Sequence, residues 1–219
     1  MFSYLLSLLF PPKCHFCRCI LQKAETDLCH SCRGDAPELL RTKRKIPLIA
    51  QWTAVWYYKG AVRKSILRFK FCNARGYADF YARELALKLR DADFANDFSV
   101  ITWVPVSKLR RLLRGYDQSE LLATALGKEL GLPAVQLLKK HRHTQPQSSL
   151  PGASQRRANV LNAYMCVDRH SIIGKHILLL DDVLTTGSTA AECGKILLLG
   201  GAKKVYFAAI AAATHDKNK

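Results

Sequence analysis

The feature that most constrains the fold is a short apolar run that ends in two adjacent carboxylates and a turn of small hydroxylated residues. Residues 177–180 read Ile-Leu-Leu-Leu, Asp181 and Asp182 follow at once, and residues 185–189 read Thr-Thr-Gly-Ser-Thr. An uninterrupted apolar run of this kind is typical of a strand that is buried on both faces of a parallel sheet. The pattern therefore predicts a strand, a loop and a helix in that order.

Strand-like and helical segments alternate along most of the chain. We predict strands at 99–106, 132–138, 163–167, 176–182 and 203–212, and helices at 62–69, 77–90, 117–130 and 188–199. This alternation indicates an α/β fold, in which a doubly wound sheet of parallel strands carries helices on both faces. Ligands of such sheets bind beyond the carboxyl ends of the strands, so the loops there are the places to look for a site.

The loop after residue 180 combines two kinds of ligand-binding group. A helix N-terminus leaves backbone N–H groups free and carries about half a positive charge, which suits it to bind a phosphate. The carboxylates of Asp181 and Asp182 are suited to accept hydrogen bonds from vicinal sugar hydroxyls or to help hold Mg²⁺. Together they predict a site for a ribose 5-phosphate. The spacing matches neither a Walker loop nor a GxGxxG turn. An ordinary strand cap and helix cap would explain either half alone, but not both.

Five of the eight cysteines are crowded near the N-terminus, where two Cys-x-x-Cys pairs are separated by eleven residues. Each pair turns two sulfurs to one side, and a tetrahedral Zn²⁺ takes four such ligands at about 2.3 Å. Cys19 is a fifth thiol beside this set, and His15 or His30 is an alternative ligand. Disulfides are the competing interpretation, but no secretion signal indicates an oxidising compartment. The predicted structural zinc ligands are Cys14, Cys17, Cys29 and Cys32.

The charge balance favours a polyanionic partner. Lys and Arg number 34 against 17 Asp and Glu, which gives a formal net charge of +17. Segment 41–75 contains ten of these cations and no acidic residue, interleaved with aromatic residues. This combination suits single-stranded nucleic acid, because rings stack on bases while cations bind phosphates. The alternative is that 52–58 is an aromatic-rich strand with its apolar face in the core. The candidate nucleic-acid-binding residues are Arg41, Lys43, Arg44, Lys45, Arg63, Lys64, Arg68 and Lys70.

Residues 177–189 resemble the phosphoribosyl pyrophosphate motif of the type I phosphoribosyltransferases, a hydrophobic strand with two acidic residues and a TTGxT loop. Wider features are similar to the ComF family of competence and DNA-uptake proteins, and this resemblance runs along nearly the whole chain. The family usually shows Asn where this chain has Asp117. The features that carry the resemblance are the cysteine module and the segments 103–106, 114–123, 142–150 and 156–160.

The resemblance implies a type I phosphoribosyltransferase-like parallel sheet with a small N-terminal zinc-binding module. It also implies that Asp181 and Asp182 are the catalytic candidates and bind the ribose hydroxyls, that the following loop binds the 5-phosphate, and that Mg²⁺ accompanies the ligand. The strand end near Val106 would form a pyrophosphate loop with cationic neighbours, for which a solvated basic face is the alternative. The implied binding residues are Asp181, Asp182, Val183, Leu184, Thr185, Thr186, Gly187, Ser188, Thr189, Ser107, Lys108, Arg110, Arg111 and Arg114.

Two classes of function remain open. The first is a factor of natural transformation that binds single-stranded DNA and retains a phosphoribosyl pyrophosphate site, with a helicase-like DNA-uptake protein as a candidate partner. The second is a phosphoribosyltransferase of nucleotide metabolism or salvage, which displaces pyrophosphate at ribose C1. Charge favours the first, because a single small substrate requires only a local basic pocket.

We predict two parts of the chain, a zinc module with a basic linker at 1–45 and a phosphoribosyltransferase-like domain at 46–219. The apolar segment 1–10 has no basic lead-in and no small-residue cleavage site, and it is shorter than the roughly 20 residues that span a bilayer. We therefore expect a cytoplasmic protein without a transmembrane segment. A segment packed on the fold or on a partner is favoured over a peripheral membrane anchor.

Overall fold

The computed structural model describes residues 10–40, 44–142 and 152–214. Within these ranges no helix combines the length and the apolar character needed to cross a membrane. The elements of the described chain are α1 (His30–Gly34), β1 (Trp52–Tyr57), α2 (Gly60–Phe71), α3 (Tyr77–Arg90), β2 (Val100–Trp103), α4 (Lys108–Arg114), α5 (Gln118–Leu130), β3 (Leu138–Lys140), α6 (Ala153–Val160), β4 (Tyr164–Cys166), β5 (His176–Leu184), α7 (Ser188–Leu199) and β6 (Lys204–Ala212).

The main sheet of the described chain has four strands in the order β1-β6-β5-β2, and each neighbouring pair is parallel. β5 lies at its centre, with Leu178 opposite Ile101 on one side and Leu179 opposite Phe207 on the other. The predicted parallel α/β sheet is therefore confirmed, and the chain segment that carries the two carboxylates is one of its inner strands.

The apolar run of β5 is buried on both faces. Leu178 and Leu180 pack in one apolar cluster with α3 and α5, while Ile177 and Leu179 pack in a second cluster with α7. All four side chains are fully buried. The period of two along a strand places alternate residues in the two clusters, which explains why the sequence shows no polar position between 177 and 180.

The structure places three of the predicted strands differently. The segment predicted as a strand at 132–138 contributes an isolated parallel bridge between Ala134 and Ile101, and its strand, β3, begins only at Leu138. The segment at 163–167 becomes β4, which pairs antiparallel with β3 apart from the main sheet. The predicted strand 99–106 shortens to β2. Apolar patterning indicates that a segment is buried but does not identify its partner strand, so these assignments were wrong in detail.

The cysteine module packs directly on the main domain. The ring of Phe16 meets those of Trp56 and Phe80 at centroid distances of 5.2 and 5.8 Å. Arg68 of α2 donates a hydrogen bond of 2.8 Å to the carbonyl oxygen of His15, and Arg83 of α3 pairs with an aspartate of the module at 2.8 Å. The module thus shares a core with the sheet, and the boundary at residue 45 stays a prediction.

Candidate functional site

A cavity of about 1050 Å³ opens at the carboxyl end of the main sheet. Tyr58, Val104, Thr185 and Ala213, which follow the four strands of that sheet, all line it. This is the edge at which parallel α/β sheets bind their ligands. The predicted site residues that line the cavity are Arg110, Arg114, Asp181, Asp182, Val183, Leu184, Thr185, Gly187 and Thr189.

The turn before α7 contains a left-handed glycine and two neighbouring hydroxyls. Gly187 caps the helix with φ +80°, a left-handed conformation, and a Cβ there would lie 3.2 Å from Nη2 of Arg44 and 3.4 Å from Ile46. The left-handed backbone therefore favours glycine here, and a Cβ would also press on the end of the Arg44 side chain. The hydroxyls of Thr186 and Ser188 lie 2.9 Å apart. Arg44, predicted to bind nucleic acid, packs against this turn instead.

The two carboxylates at the end of β5 have different surroundings. Oδ1 of Asp181 accepts a hydrogen bond of 2.8 Å from the backbone N–H of Asp182 and one of 3.4 Å from the hydroxyl of Ser119. Oδ1 of Asp182 lies 2.8 Å from Nζ of Lys70. Burial, followed by the nearby charge of Asp182, raises the pKa of Asp181 to about 8, although Lys70 opposes this shift.

We expect the affinity for ribose 5-phosphate to rise as the pH is raised toward about 8. An acid with a raised pKa stays protonated over a wider range, so below that value Asp181 has to lose a proton before its carboxylate accepts sugar hydroxyls. Calorimetric titrations from about pH 6 to about pH 9 measure this dependence. The Asp181→Asn variant is the control, because it lacks the titration of Asp181 and retains that of the ligand and of the other cavity groups. An equal pH dependence in both proteins would contradict the prediction.

The predicted pyrophosphate loop leads into a helix, α4, which carries its cationic neighbours. Its side chains divide by helical spacing: Arg110 and Arg114 line the cavity, whereas Lys108 is exposed and Arg111 pairs with Glu120 of α5 at 3.1 Å. Positions four residues apart share one face of a helix, which explains the division. The structure therefore brings two of the four predicted cations to the cavity and directs Lys108 and Arg111 elsewhere.

Two polar side chains lie on either side of α4 and bind its neighbouring backbone. Ser107 caps α4, since its hydroxyl accepts a hydrogen bond of 3.4 Å from the backbone N–H of Arg110. Asp117 accepts hydrogen bonds from the backbone N–H groups of Val106 at 2.9 Å and Ser119 at 3.0 Å, one through each carboxylate oxygen. Asp117 acts here only as an acceptor, and an asparagine offers just one acceptor oxygen. The departure from the family pattern at residue 117 therefore preserves a well-bonded loop.

Several cavity residues were missed in the sequence. Lys140, on β3, lies 5.1 Å from the ring of Tyr164, and burial, with the positive charge of Arg110 beside it, lowers the pKa of Lys140 to about 8. Phe71 and Arg156 also line the cavity. Arg156 lies in a segment that carried the family resemblance, whereas the position of Lys140 and Tyr164 at the cavity depends on the β3–β4 pair.

The N-terminal thiols converge on one point. The Sγ atoms of four cysteines lie within 4.8 Å of one another, and two of them, in Cys17 and Cys29, are 3.7 Å apart. Ligands about 2.3 Å from a tetrahedral zinc are separated by about 3.8 Å, so this donor set fits the metal. All eight cysteines of the chain are free. The four that converge are Cys14, Cys17, Cys19 and Cys29.

The converging set includes Cys19, which the pairwise motif leaves out. The predicted ligand Cys32 also lies near the cluster, because its thiol interacts with those of Cys14, Cys17 and Cys29. The backbone N–H of Cys19 is the main group that lowers the pKa of Cys17 to about 6, which favours the thiolate that binds metal. Five sulfurs therefore surround a site in which zinc takes four.

The predicted nucleic-acid-binding residues are found in different settings. Lys45, Arg63 and Lys64 are exposed, Arg68 and Lys70 make the contacts described above, and Arg41 and Lys43 lie outside the described residues. The aromatic residues of the basic segment also divide. Trp56 is buried in a strand, as the alternative for 52–58 predicted, and Phe69 of α2 is buried too. Phe71 is 62% exposed, with the guanidinium of Arg114 over its ring at 4.7 Å.

Comparisons with known proteins agree with this architecture. The phosphoribosyl transferase domain family matches residues 117–219. The chain is 31% identical over 169 residues to the DNA utilization protein YhgH of Escherichia coli O157:H7, which covers 75% of this chain and 73% of that protein. The chain belongs to the ComF family of phosphoribosyltransferase-like proteins.

Two further relatives match over longer stretches of this ComF-family chain. Identity to competence protein F of Haemophilus influenzae is 29% over 223 residues, which covers 92% of this chain and 97% of that protein. Identity to competence protein ComFC of Bacillus subtilis is 28% over 207 residues, with coverage of 86% and 78%. Both matches are longer than the segment 117–219, so the relationship extends beyond the part matched by the phosphoribosyl transferase domain family.

Proposed function

We propose that this ComF-family chain handles single-stranded DNA during competence and binds phosphoribosyl pyrophosphate with Mg²⁺ in the cavity at the sheet edge. The relatives named as competence and DNA utilization proteins support the biological setting. One observation supports the choice of ligand. In a single cavity, paired carboxylates lie beside a glycine turn at the N-terminus of α7. The proposal places the protein in the cytoplasm, with a helicase-like DNA-uptake protein as a candidate partner.

The cavity provides a group for each part of the ligand. Asp181 and Asp182 accept the ribose hydroxyls, and the turn around Gly187 takes the 5-phosphate. Arg110, Arg114 and Lys140 of the lining face the pyrophosphate. When bound, Mg²⁺ neutralises charge on the pyrophosphate oxygens. The thiols of the N-terminal module hold a structural zinc and are not among the residues that line this cavity.

Binding of single-stranded DNA should weaken steeply as salt is added. Each phosphate contact on a single strand contributes roughly 0.7 to the slope of log affinity against log salt concentration, because counterions are released. Arg63 and Lys64 are exposed neighbours on α2, so their joint replacement by Gln should lower the slope by roughly 1.4. Fluorescence anisotropy across a salt series measures it. Replacing the exposed Lys128 by Gln is a matched control. Binding indifferent to salt would contradict the prediction.

The deciding experiment is a calorimetric titration of the protein with phosphoribosyl pyrophosphate and Mg²⁺, with and without single-stranded DNA. Binding of both ligands to one protein supports the proposal, and the absence of phosphoribosyl pyrophosphate binding would overturn its ligand assignment. A phosphoribosyltransferase of nucleotide metabolism is the second candidate, favoured by the lining rings of Tyr58 and Phe71, beside which an acceptor base has room to bind. Release of pyrophosphate on addition of a nucleobase would establish that activity.

A further inference from the structure

Lys70 contacts a carboxylate that the proposed sugar ligand also requires. Its Nζ lies 2.8 Å from Oδ1 of Asp182, and the two side chains are only 19% and 12% exposed. Little water screens an ion pair in such a setting, so its attraction is stronger than that of a surface pair. Ribose hydroxyls that approach Oδ1 of Asp182 therefore compete with the ammonium of Lys70 for that oxygen.

The same lysine ends a stripe of residues along α2. Arg63, Leu67 and Lys70 are spaced as i, i+4 and i+7 along the helix. Lys64 and Phe71, which are also seven residues apart, lie next to them, so all five share one face of the helix. Arg63 and Lys64 are exposed, whereas the other three line the cavity. Seven helical residues span roughly 10 Å. One short helix face thus connects exposed cations with the edge of the sugar site.

The end of this helix face that lies at Phe71 can bind a base as well as a phosphate. Phe71 is 62% exposed, and the guanidinium of Arg114 lies 4.7 Å from its ring. Single-stranded DNA is held by stacking of bases on aromatic rings beside cations that bind the backbone. A strand whose phosphates contact Arg63 and Lys64 and whose base stacks on Phe71 brings backbone phosphates close to Lys70.

Resting on the proposed function, we propose that single-stranded DNA on α2 withdraws the ammonium of Lys70 from Asp182 and so makes the sugar site available. Lys70 is then a positioning residue that makes the affinity for phosphoribosyl pyrophosphate depend on DNA. Because coupling between two binding sites is reciprocal, phosphoribosyl pyrophosphate raises the affinity for DNA by the same factor. Coupling between sites in one protein is commonly 5- to 150-fold, and we expect roughly tenfold here.

The test is a pair of titrations on the full chain and its Lys70→Gln variant. Phosphoribosyl pyrophosphate with Mg²⁺ is titrated in the absence and in the presence of a saturating single-stranded oligonucleotide. In the unsubstituted protein, DNA should raise the affinity roughly tenfold. In Lys70→Gln the affinity without DNA should already be raised by about that factor, and DNA should change it little. The oligonucleotide titrated with and without phosphoribosyl pyrophosphate should show the same factors.

Two further variants make the result specific. Lys128→Gln removes a lysine from the last turn of another helix, α5. It therefore changes the net charge and the charge at a helix C-terminus as Lys70→Gln does, and the coupling between DNA and phosphoribosyl pyrophosphate should be retained. Lys70→Arg preserves the cation and should preserve the DNA dependence, while melting curves confirm that each variant is folded. The inference is overturned if Lys70→Gln binds phosphoribosyl pyrophosphate no more tightly and retains the DNA effect, or if DNA lowers the affinity of the unsubstituted protein. Failure of the unsubstituted protein to bind either ligand would overturn the proposed function instead.

Discussion

Replacing both carboxylates of the cavity, Asp181→Asn together with Asp182→Asn, should reduce the affinity for phosphoribosyl pyrophosphate and Mg²⁺ by at least about a hundredfold. Each lost hydrogen bond to a charged group costs about 1.5 to 3 kcal/mol, and two hydroxyls of the ribose are affected. A difference of about 1.4 kcal/mol corresponds to a factor of ten in affinity, so the double replacement exceeds two such factors. Calorimetric titration measures the loss directly.

The control for this variant is Asp79→Asn, which removes a carboxylate from the exposed face of α3. It should leave the affinity unchanged. The double variant also removes the partner of Lys70, so its melting temperature and its zinc content have to be compared with those of the unsubstituted protein. A folded double variant that binds phosphoribosyl pyrophosphate as tightly as before would show that the motif on β5 had been misinterpreted.

Serine in place of Cys14 or Cys29 should remove the zinc and destabilise the whole chain. These two thiols are buried in the cluster that contains Phe16, Trp56 and Phe80, so the metal supports the core of the sheet as well as its own module. Structural zinc contributes about 10 to 16 kcal/mol of binding free energy to small peptides, and a loss of even about 4 kcal/mol would lower the melting temperature by about 10 °C. Metal analysis and thermal melting measure both effects.

Three other cysteines make this test sharper. Cys72→Ser changes an exposed thiol outside the cluster and should preserve about one zinc per chain with an unchanged melting temperature. Cys19→Ser and Cys32→Ser identify the fourth ligand, because the variant that loses zinc lacks it. Cys14→Ser protein that is free of metal and as stable as the unsubstituted chain would contradict the zinc prediction.

The local part of the site was readable in the sequence. The order of β5, carboxylates, turn and α7 follows from a run of apolar residues, two charges and a glycine, all of which are contiguous. The convergence of thiols is also local, since a pair of cysteines three residues apart turns both sulfurs to one side. The fold class followed because alternating segments with fully apolar strands are stable only when helices cover both faces of the sheet.

The sequence did not show which cations of the basic segment 41–75 contact other parts of the protein and which are exposed. Arg44, Arg68 and Lys70 belong to the same acid-free segment as Arg63 and Lys64 and were all assigned to nucleic acid. In the structure Arg44 lies against Gly187, Arg68 donates to backbone carbonyls of the cysteine module, and Lys70 pairs with Asp182. Charge along the chain predicts an anionic partner, but the group that each cation contacts depends on how α2 and the segment before β1 pack.

By itself, the sequence determined the class of the fold, the glycine turn with its carboxylate pair, and the group of thiols, because each arises from neighbouring residues or from a periodic pattern. Only the tertiary structure decided that β3 and β4 form a separate pair that carries Lys140 to the cavity, and that α2 ends with Lys70 on Asp182. These contacts join residues far apart in the chain, and such contacts form only once long-range packing has fixed the distance between their elements.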